Sequence, residues 1–315
     1  MIIANGMAEI HFAPLQGYTD WIYRNNFARF FGGVDAYYTP FIRLESDNTF
    51  RNRDLRDIDP KNNSVPLLIP QILPGNADEF CKLTQLVRSK GYKKIDINLG
   101  CPFPLIAGKK KGAGMLPYPE LVKEMLSPIC DFPDVLFSVK MRLGWKNTSE
   151  AYNLIDIINN LRLEYITLHA RIGIQQYKGT PDYESFSRFY QACEHSIFYN
   201  GDLKSGKELQ EILEKFPKLR GVLIGRGLLS SPWVVADFRK NETKPDGERK
   251  NQVYAFHEAL LNDYKNYLQG ENQLLNKMKT LWDYLLPETD RKMVKRIRKS
   301  TKLSDYCSAV KQIFE

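Results

Sequence analysis

Short apolar runs rich in β-branched and aromatic residues recur between Ile10 and Gly225, and segments with helical spacing separate them. The runs predict eight β-strands, near Ile10–Ala13, Val34–Thr39, Leu67–Ile72, Lys94–Asn98, Leu136–Met141, Tyr165–His169, Ile197–Asn200 and Gly221–Gly225. Helical periodicity is clearest over Ala77–Lys90, Glu150–Leu161 and Ser205–Phe216. Eight strand–helix units in roughly 230 residues have the size and rhythm of a (β/α)8 TIM barrel, which is an α/β fold. The alternative, a doubly wound sheet, rarely needs so many alternations.

The hydrophobic pattern changes after Trp233. The segment Lys240–Lys250 is polar and contains a proline and a glycine, which is typical of a linker. Beyond it, Asn251–Glu315 keeps helical spacing throughout and shows no strand-like alternation. We therefore predict two units: a barrel over residues 1–240 and an all-helical domain over residues 241–315.

The composition limits the class of protein and its location. The 315 residues are 43% hydrophobic, which is enough for a substantial core, and no apolar run approaches the roughly 20 residues of a membrane span. Met1–His11 lacks the charged start and apolar stretch of a signal peptide. The five cysteines are odd in number and form no CxxC pair, which argues against a disulfide framework or a zinc site. We expect a cytoplasmic monomer without a metal.

Positive charge is concentrated near the carboxyl terminus. The chain has 45 basic and 37 acidic residues, a net charge of +8. Seven basic residues and no acidic residue lie between Arg291 and Lys302, and helical spacing places Arg291, Lys295 and Arg298 on one face. Such a face favours recognition of a folded nucleic acid through its phosphate backbone. An ordinary surface helix is the alternative.

Polar side chains follow the predicted strands at the points where these strands end. In a parallel barrel the carboxyl ends of the strands form the ligand-binding face. One polar residue at a strand end carries little weight, because such residues are common on surfaces. The chain repeats the feature at seven strands, with residues that include Gln16, Gln71, Asn98, Lys140, His169, Asn200 and Arg226. We therefore predict a functional site at this face.

The turn Gly100-Cys101-Pro102 presents a thiol at the end of the fourth strand. A cysteine that only packs would be flanked by hydrophobic residues inside an element, so Cys101 is the first candidate for chemistry. The run Lys109–Lys111 follows in the same loop, either as a solvated face or as a contact to nucleic-acid phosphates. Cations lower the pKa of a thiol from about 8.5, so these lysines should point away if Cys101 acts as an acid.

Two glycine-containing turns, Asn200-Gly201-Asp202 and Gly225-Arg226-Gly227, follow the seventh and eighth strands. This is the frequent phosphate-binding position of barrels, where glycines let the backbone approach an anion and Arg226 adds a charge-assisted contact. Tight turns without a ligand are the alternative.

Three further charged or titratable residues stand on strands that lead to this face. Lys140 is costly inside a barrel unless it contacts an anion or an electron-rich ligand edge, and an internal salt bridge is the alternative. His169 and Arg171 are two residues apart and share one side of a strand. Their position favours ligand contact over a histidine that is satisfied within the core.

Taken together, these motifs resemble those of the tRNA-dihydrouridine synthase family. The matching segments occur in the family's order from residue 12 to residue 233, followed by a helical tail as in the family. They are Ala13–Asp20, Asn98–Pro102, Lys111–Leu116, Val139–Trp145, His169–Arg171, Asn200–Asp202 and Ile224–Gly227. The chain departs from the family at Leu15-Gln16, where a Met-Ala pair is common, and at Ile172, where a threonine is common.

The resemblance implies an FMN-binding catalytic barrel that reduces the C5=C6 bond of a uracil within tRNA, with NADPH as reductant. It implies Cys101 as the general acid. The implied FMN contacts are Pro14, Leu15, Gln71, Lys140, His169, Asn200, Gly201, Asp202, Gly225 and Arg226. The implied contacts to the uracil nucleotide are Asn98, Arg171 and Tyr177, while the basic tail with Arg291, Lys295 and Arg298 would hold the tRNA body.

Three other functions fit parts of this pattern. An FMN barrel that reduces a free pyrimidine or enone would not need the basic tail. A tRNA-binding protein with a structural flavin would be indifferent to the loss of Cys101. A flavin-free lyase that binds phosphate would give a colourless protein.

Overall fold

A ring of parallel strands forms the centre of the fold in the computed structural model, which describes residues 8–315. The strands are β1 (Glu9–Phe12), β2 (Ala36–Tyr38), β3 (Leu68–Ile69), β4 (Gln71–Ile72), β5 (Lys94–Leu99), β6 (Leu136–Gly144), β7 (Leu163–Ile172), β8 (Ile197–Asn200) and β9 (Gly221–Ile224). Their order in the sheet is β3-β2-β1-β9-β8-β7-β6-β5-β4. The predicted TIM barrel is confirmed. The expectation for Met1–His11 lies, over residues 1–7, outside the described part of the chain.

The third predicted strand, Leu67–Ile72, is split in two at Pro70. Its first half, β3, pairs with β2, and its second half, β4, pairs with β5. Proline has no N–H to donate to a neighbouring strand, but the Pro70 carbonyl accepts a hydrogen bond from the Asp96 amide at 3.0 Å. The chain itself therefore joins the two ends of the sheet and closes the ring.

Helices surround the ring. They are α1 (Trp21–Phe30), α2 (Asn52–Asp57), α3 (Ala77–Ser89), α4 (Pro104–Ala107), α5 (Pro119–Leu126), α6 (Ser149–Tyr152), α7 (Ile155–Asn159), α8 (Tyr183–Ala192), α9 (Gly206–Lys215), α10 (Arg226–Ser230) and α11 (Val234–Lys240). The helix predicted over Glu150–Leu161 is divided into α6 and α7 around Asn153, a residue type that favours turns. Within the described residues, no helix combines the length and the apolar character needed to cross a membrane.

Four helices follow the barrel: α12 (Asp246–Tyr267), α13 (Glu271–Leu281), α14 (Arg291–Lys299) and α15 (Leu303–Phe314). The predicted linker Lys240–Lys250 is shorter than expected, because α11 includes Lys240 and α12 begins at Asp246. Acidic residues in the first turn of α12 suit the positive end of its dipole.

Helix α12 packs on the barrel rather than standing apart from it. The Phe256 ring lies 5.5 Å from Tyr23 and 5.1 Å from Phe31, both on or next to α1. The Tyr264 hydroxyl donates to Asp20 at 2.7 Å, in the loop between β1 and α1. The division into domains at residue 240 stays a prediction.

Candidate active site

A cavity of about 890 Å³, including its open mouth, lies at the carboxyl ends of the strands. The wall contains these residues singled out in the sequence: Pro14, Leu15, Gln71, Asn98, Cys101, Lys140, His169, Tyr177, Asn200, Gly201, Asp202, Gly225 and Arg226. It also contains Phe41, Arg142 and Lys204, for which the sequence analysis proposed no role.

Hydrogen-bonded amides form one part of the cavity wall. The Gln71 Nε2 donates to the Asp96 carboxylate at 2.6 Å, and the Asn98 Nδ2 donates to the Gln71 Oε1 at 2.8 Å. The Asn98 Oδ1 in turn accepts from the backbone N–H groups of Gly100 at 3.0 Å and Cys101 at 2.8 Å. The turn that carries Cys101 is therefore tied to the barrel interior. Asp96 was not predicted from the sequence, because a single carboxylate within an apolar strand carries no motif.

The Cys101 turn is held on its other side by the glycine-rich loop. The Ala113 N–H donates to the Cys101 carbonyl at 3.1 Å. Gly112 has a φ of +57°, and a Cβ there would lie 2.9 Å from the same carbonyl oxygen, so only glycine fits. Burial raises the pKa of the half-buried Cys101 thiol, although a backbone hydrogen bond and the charge of Arg142 act in the opposite direction. The thiol therefore stays protonated at neutral pH.

Two lysines of the run Lys109–Lys111 have partners away from Cys101. Lys111 forms an ion pair with Glu79 at 2.6 Å. The Lys110 Nζ lies 4.4 Å from the centre of the Tyr118 ring. The two ammonium groups therefore point away from Cys101, as a thiol that has to stay protonated would require.

Lys140 contacts an amide instead of forming a salt bridge. Among residues 8–315, the polar partner of its Nζ is the Asn200 Oδ1 at 2.9 Å, and the Asn200 Nδ2 donates to the Leu223 carbonyl at 2.7 Å. Burial, together with the charge of Arg142, lowers the pKa of Lys140 to about 8. The ammonium is thus desolvated and close to the cavity, where it would stabilise negative charge on a ligand.

His169 is neutral in this surrounding. Burial and the nearby charges of Arg142 and Lys140 lower its pKa well below the usual value. Its Nε2 lies 3.4 Å from the Arg171 Nη1, and since a guanidinium only donates, this nitrogen accepts and the Nδ1 carries the proton. The assignment of the tautomer rests on this hydrogen bond.

Arg171 lies behind the wall rather than in it, and its side chain is fully buried. The guanidinium binds both carboxylate oxygens of Asp202, at 2.5 and 3.2 Å, and donates to the carbonyls of Lys178 and Gly179. Arg171 thereby holds the loop that carries Tyr177.

Asp202 joins two arginines from different loops. Besides Arg171, it accepts a hydrogen bond from the Arg226 Nη2 at 2.8 Å. Burial raises the pKa of Asp202, but the bonds and charges of the two guanidinium groups outweigh it, so its pKa is lowered. The guanidinium groups of Arg226 and Arg142 lie 4.3 Å and 5.5 Å from the centre of the Tyr177 ring. Asp202 thus balances the charges of Arg171 and Arg226, and the Tyr177 ring offers Arg226 and Arg142 a cation–π contact.

The predicted tRNA-binding residues Arg291, Lys295 and Arg298 lie outside the cavity, on α14. Their side chains are exposed, while Ile297 on the same helix is buried. The Arg298 guanidinium donates to Asp283 at 3.1 Å. Asp283 also accepts from the Tyr18 hydroxyl, at 3.0 Å, in the loop that begins at the cavity wall. The basic face is therefore connected to the mouth of the barrel.

A family model described as "Dihydrouridine synthase (Dus)" matches residues 11–313 of the chain. The chain belongs to the dihydrouridine synthase family. Among the described residues, no group of three or more metal-binding side chains occurs.

Curated relatives carry the name tRNA-dihydrouridine synthase B. The protein from Pasteurella multocida is 29% identical over 165 residues, which cover 52% of this chain and 49% of the relative. The one from Pseudomonas putida is 28% identical over 225 residues, 70% of this chain and 65% of the relative. The one from Vibrio vulnificus is 26% identical and covers 81% of each chain. The chain thus spans about half of the first relative and just under two thirds of the second.

Solved structures share the barrel fold. A morphinone reductase mutant in complex with tetrahydroNAD has a TM-score of 0.52 at 10% identity, covering 76% of this chain and 89% of that chain. The histamine dehydrogenase from Rhizobium sp. 4-9 has a TM-score of 0.53 at 9% identity, covering 81% and 50%. At these identities the comparison shows the fold alone.

The buried Asp96 makes stability dependent on pH. Burial raises its pKa to about 7, so the stability that its protonated form contributes is complete below the unfolded pKa and is lost as the pH rises through about 7. Asp96→Asn cannot ionise, so from pH 5 to pH 8 the variant should gain about 2–3 kcal/mol in unfolding free energy relative to the unmodified protein. Urea denaturation at both pH values measures this difference.

Asp134→Asn is the control for this experiment. Asp134 is exposed, and its contact with Arg88 lowers its pKa, so it is ionised at both pH values. The control should show no such gain. A constant difference between Asp96→Asn and the unmodified protein would contradict a titration of Asp96 in this window.

Proposed function

We propose that the protein reduces the C5=C6 bond of specific uridines in tRNA to 5,6-dihydrouridine, with FMN as cofactor and NADPH as reductant. The observation that carries the proposal is the position of Cys101 in the wall of the cavity at the carboxyl ends of the strands, on a turn whose backbone N–H groups Asn98 holds. Two comparisons support the same proposal. The chain belongs to the dihydrouridine synthase family, and the curated relatives are named tRNA-dihydrouridine synthase B.

The residues of the cavity fit an FMN group. A Cβ at Gly225 would have no neighbour closer than 3.6 Å, so its backbone is open to the cavity, and the cations Arg226 and Lys204 stand in the same wall. This end suits a phosphate. We propose that Asn200, Gly201, Asp202, Gly225 and Arg226 surround the phosphate end, with Asp202 acting by orienting Arg226.

The opposite part of the cavity suits the flavin ring. Pro14 and Leu15 give it an apolar surface, while Gln71, Lys140 and His169 supply polar groups. A cation such as Lys140 stabilises the negative charge of a reduced flavin. His169, neutral and protonated on Nδ1, can donate one hydrogen bond.

When bound, the flavin would supply a hydride to C6 of the uracil. Cys101 then delivers the proton from its Sγ to C5, so that one hydride and one proton saturate the double bond. The raised pKa of the thiol keeps this proton available at neutral pH. Solvent at the open mouth returns a proton to the thiolate. No histidine is needed to activate a group that acts as an acid.

The uracil nucleotide is placed by residues around the thiol. We propose that Asn98 and Tyr177 contact it from the wall and that Arg171 acts by holding the Tyr177 loop through the carbonyls of Lys178 and Gly179. The uridine must leave its stack to enter the cavity, which costs least in a tRNA loop. The exposed cations of α14 would hold the tRNA body meanwhile.

The visible spectrum tests the proposed reaction directly. The purified protein should show flavin bands that NADPH bleaches and that tRNA lacking dihydrouridine restores without oxygen. A yellow protein that a free enone reoxidises and tRNA does not would instead support a small-substrate reductase. A colourless protein that cannot be reconstituted with FMN would overturn the proposal.

Cys101→Ala should slow dihydrouridine formation by about 10²–10⁴-fold, the usual contribution of a general acid. FMN and tRNA binding should persist, because Asn98 and Ala113 hold the turn through the backbone of Cys101, which the substitution keeps. Single-turnover reoxidation of the reduced protein by tRNA measures the rate. Cys193→Ala is the matched control, since burial also raises the pKa of this half-buried thiol, yet it lies outside the cavity. Equal rates for the two variants would contradict the acid role.

Replacing Arg291, Lys295 and Arg298 by glutamine should weaken tRNA binding and lower its dependence on salt concentration. Each lost phosphate contact should reduce the log–log slope by roughly 0.7–0.9. Binding titrations between low and moderate salt measure this slope. The control replaces the exposed Lys90, Lys93 and Lys218, which precede strands and therefore lie at the opposite end of the barrel. An unaltered slope in the first variant, or an equal change in the control, would place the tRNA surface elsewhere.

A further inference from the structure

Asp96 is a fully buried carboxylate that the proposed chemistry does not use. It lies on β5, in register with Gln71 on one neighbouring strand and Ser138 on the other. Both neighbours donate to it at 2.6 Å, from the Gln71 Nε2 and the Ser138 Oγ. A buried carboxylate costs free energy that an apolar residue of similar size would avoid. Asp96 lies directly behind the cavity wall, so we asked what this carboxylate does for the residues of the wall.

A series of hydrogen bonds runs from Asp96 through two side-chain amides to the Cys101 turn, and each amide in it donates toward Asp96 and accepts from the side of the turn. The two oxygens of Asp96 accept from Ser138 and Gln71, so Gln71 turns its amide nitrogen toward Asp96 and its oxygen toward Asn98. Asn98 must then donate through its nitrogen, which leaves its oxygen for the backbone N–H groups of Gly100 and Cys101. Each amide could adopt two orientations by itself, and the acceptor oxygen of Asp96 selects one for both.

We propose that Asp96 is a positioning residue whose carboxylate, acting through the amides of Gln71 and Asn98, fixes the turn that carries Cys101. The inference rests on the proposed function in one respect, namely that Cys101 is the proton donor. It extends the site by one residue that touches neither the thiol nor the cavity. It also explains why the two amides in the wall are glutamine and asparagine, which can each donate and accept.

Alkylation of Cys101 by iodoacetamide reports on the turn without any catalysis. The purified full-length protein is treated at several pH values, and the modified Cys101 peptide is quantified by mass spectrometry. In Asp96→Ala the turn loses its support, so the half-buried thiol should react about tenfold faster, the ratio that corresponds to one hydrogen bond. Asp96→Asn can still accept from Gln71 and should stay within about twofold of the unmodified protein.

Gln71→Met tests whether faster alkylation comes from breaking this series of hydrogen bonds or from a general loss of stability. It should accelerate alkylation as Asp96→Ala does, and adding Asp96→Ala to it should have no further effect, because the series is already broken. Asp57→Ala is the matched control: Asp57 is also buried, but it contacts Arg24 and the Trp21 amide, away from the cavity. It should lower stability and leave Cys101 alkylation unchanged.

Three results would overturn the proposal. They are an unchanged Cys101 rate in Asp96→Ala, an undiminished effect of this substitution in the Gln71→Met protein, and equal acceleration in Asp57→Ala. If Asp96→Ala does not fold, an unchanged rate in Gln71→Met alone overturns it. A protein that forms no dihydrouridine refutes the proposed function and leaves the alkylation result intact, so the two failures are distinguishable.

Discussion

The register of the parallel strands is the constraint on which the site depends. Gln71 stands opposite Asp96, Asn98 opposite Lys140, and His169 opposite Asn200. Each pair joins neighbouring strands near their carboxyl ends, so polar groups that are far apart in the chain meet around one cavity. A shift of one residue in the register of any strand would turn the side chains that now face the cavity toward the surrounding helices. The split at Pro70 belongs to the same constraint, because it brings Gln71 into register with Asp96 while closing the ring.

Electrostatics then decides the protonation state of each group. Cations dominate the wall and its surroundings, and Asp202 balances two of them by binding Arg171 and Arg226 together. In this field His169 stays neutral, whereas burial keeps the Cys101 thiol protonated in spite of the cations. The same wall therefore combines buried positive charge with a thiol that keeps its proton.

Strand positions and strand ends could be predicted from the sequence because they follow from apolar periodicity and turn residues. The eight predicted strands and most of the cavity wall came from this local information. What a side chain bonds to is not local. Arg171 is long enough to reach Asp202 on another loop, so its burial depends on contacts 31 residues away. The role of Asp96 could not be predicted for a related reason, since its hydrogen-bond partners lie on neighbouring strands and not near it in the sequence.

The tail and the cavity are mechanically connected through the loop that follows β1. This loop begins with Pro14 and Leu15 in the wall and continues to Asp20, which binds Lys277 at 2.6 Å and the Tyr264 hydroxyl at 2.7 Å. Between them, the Tyr18 hydroxyl donates to Asp283, the residue that also binds Arg298 of the basic helix. A few short polar contacts thus connect the helices that carry the exposed cations to the loop that forms part of the cavity wall. In the proposed reaction a base enters the cavity while the tRNA body lies on those cations, so the loop after β1 would then set the distance and orientation between the two.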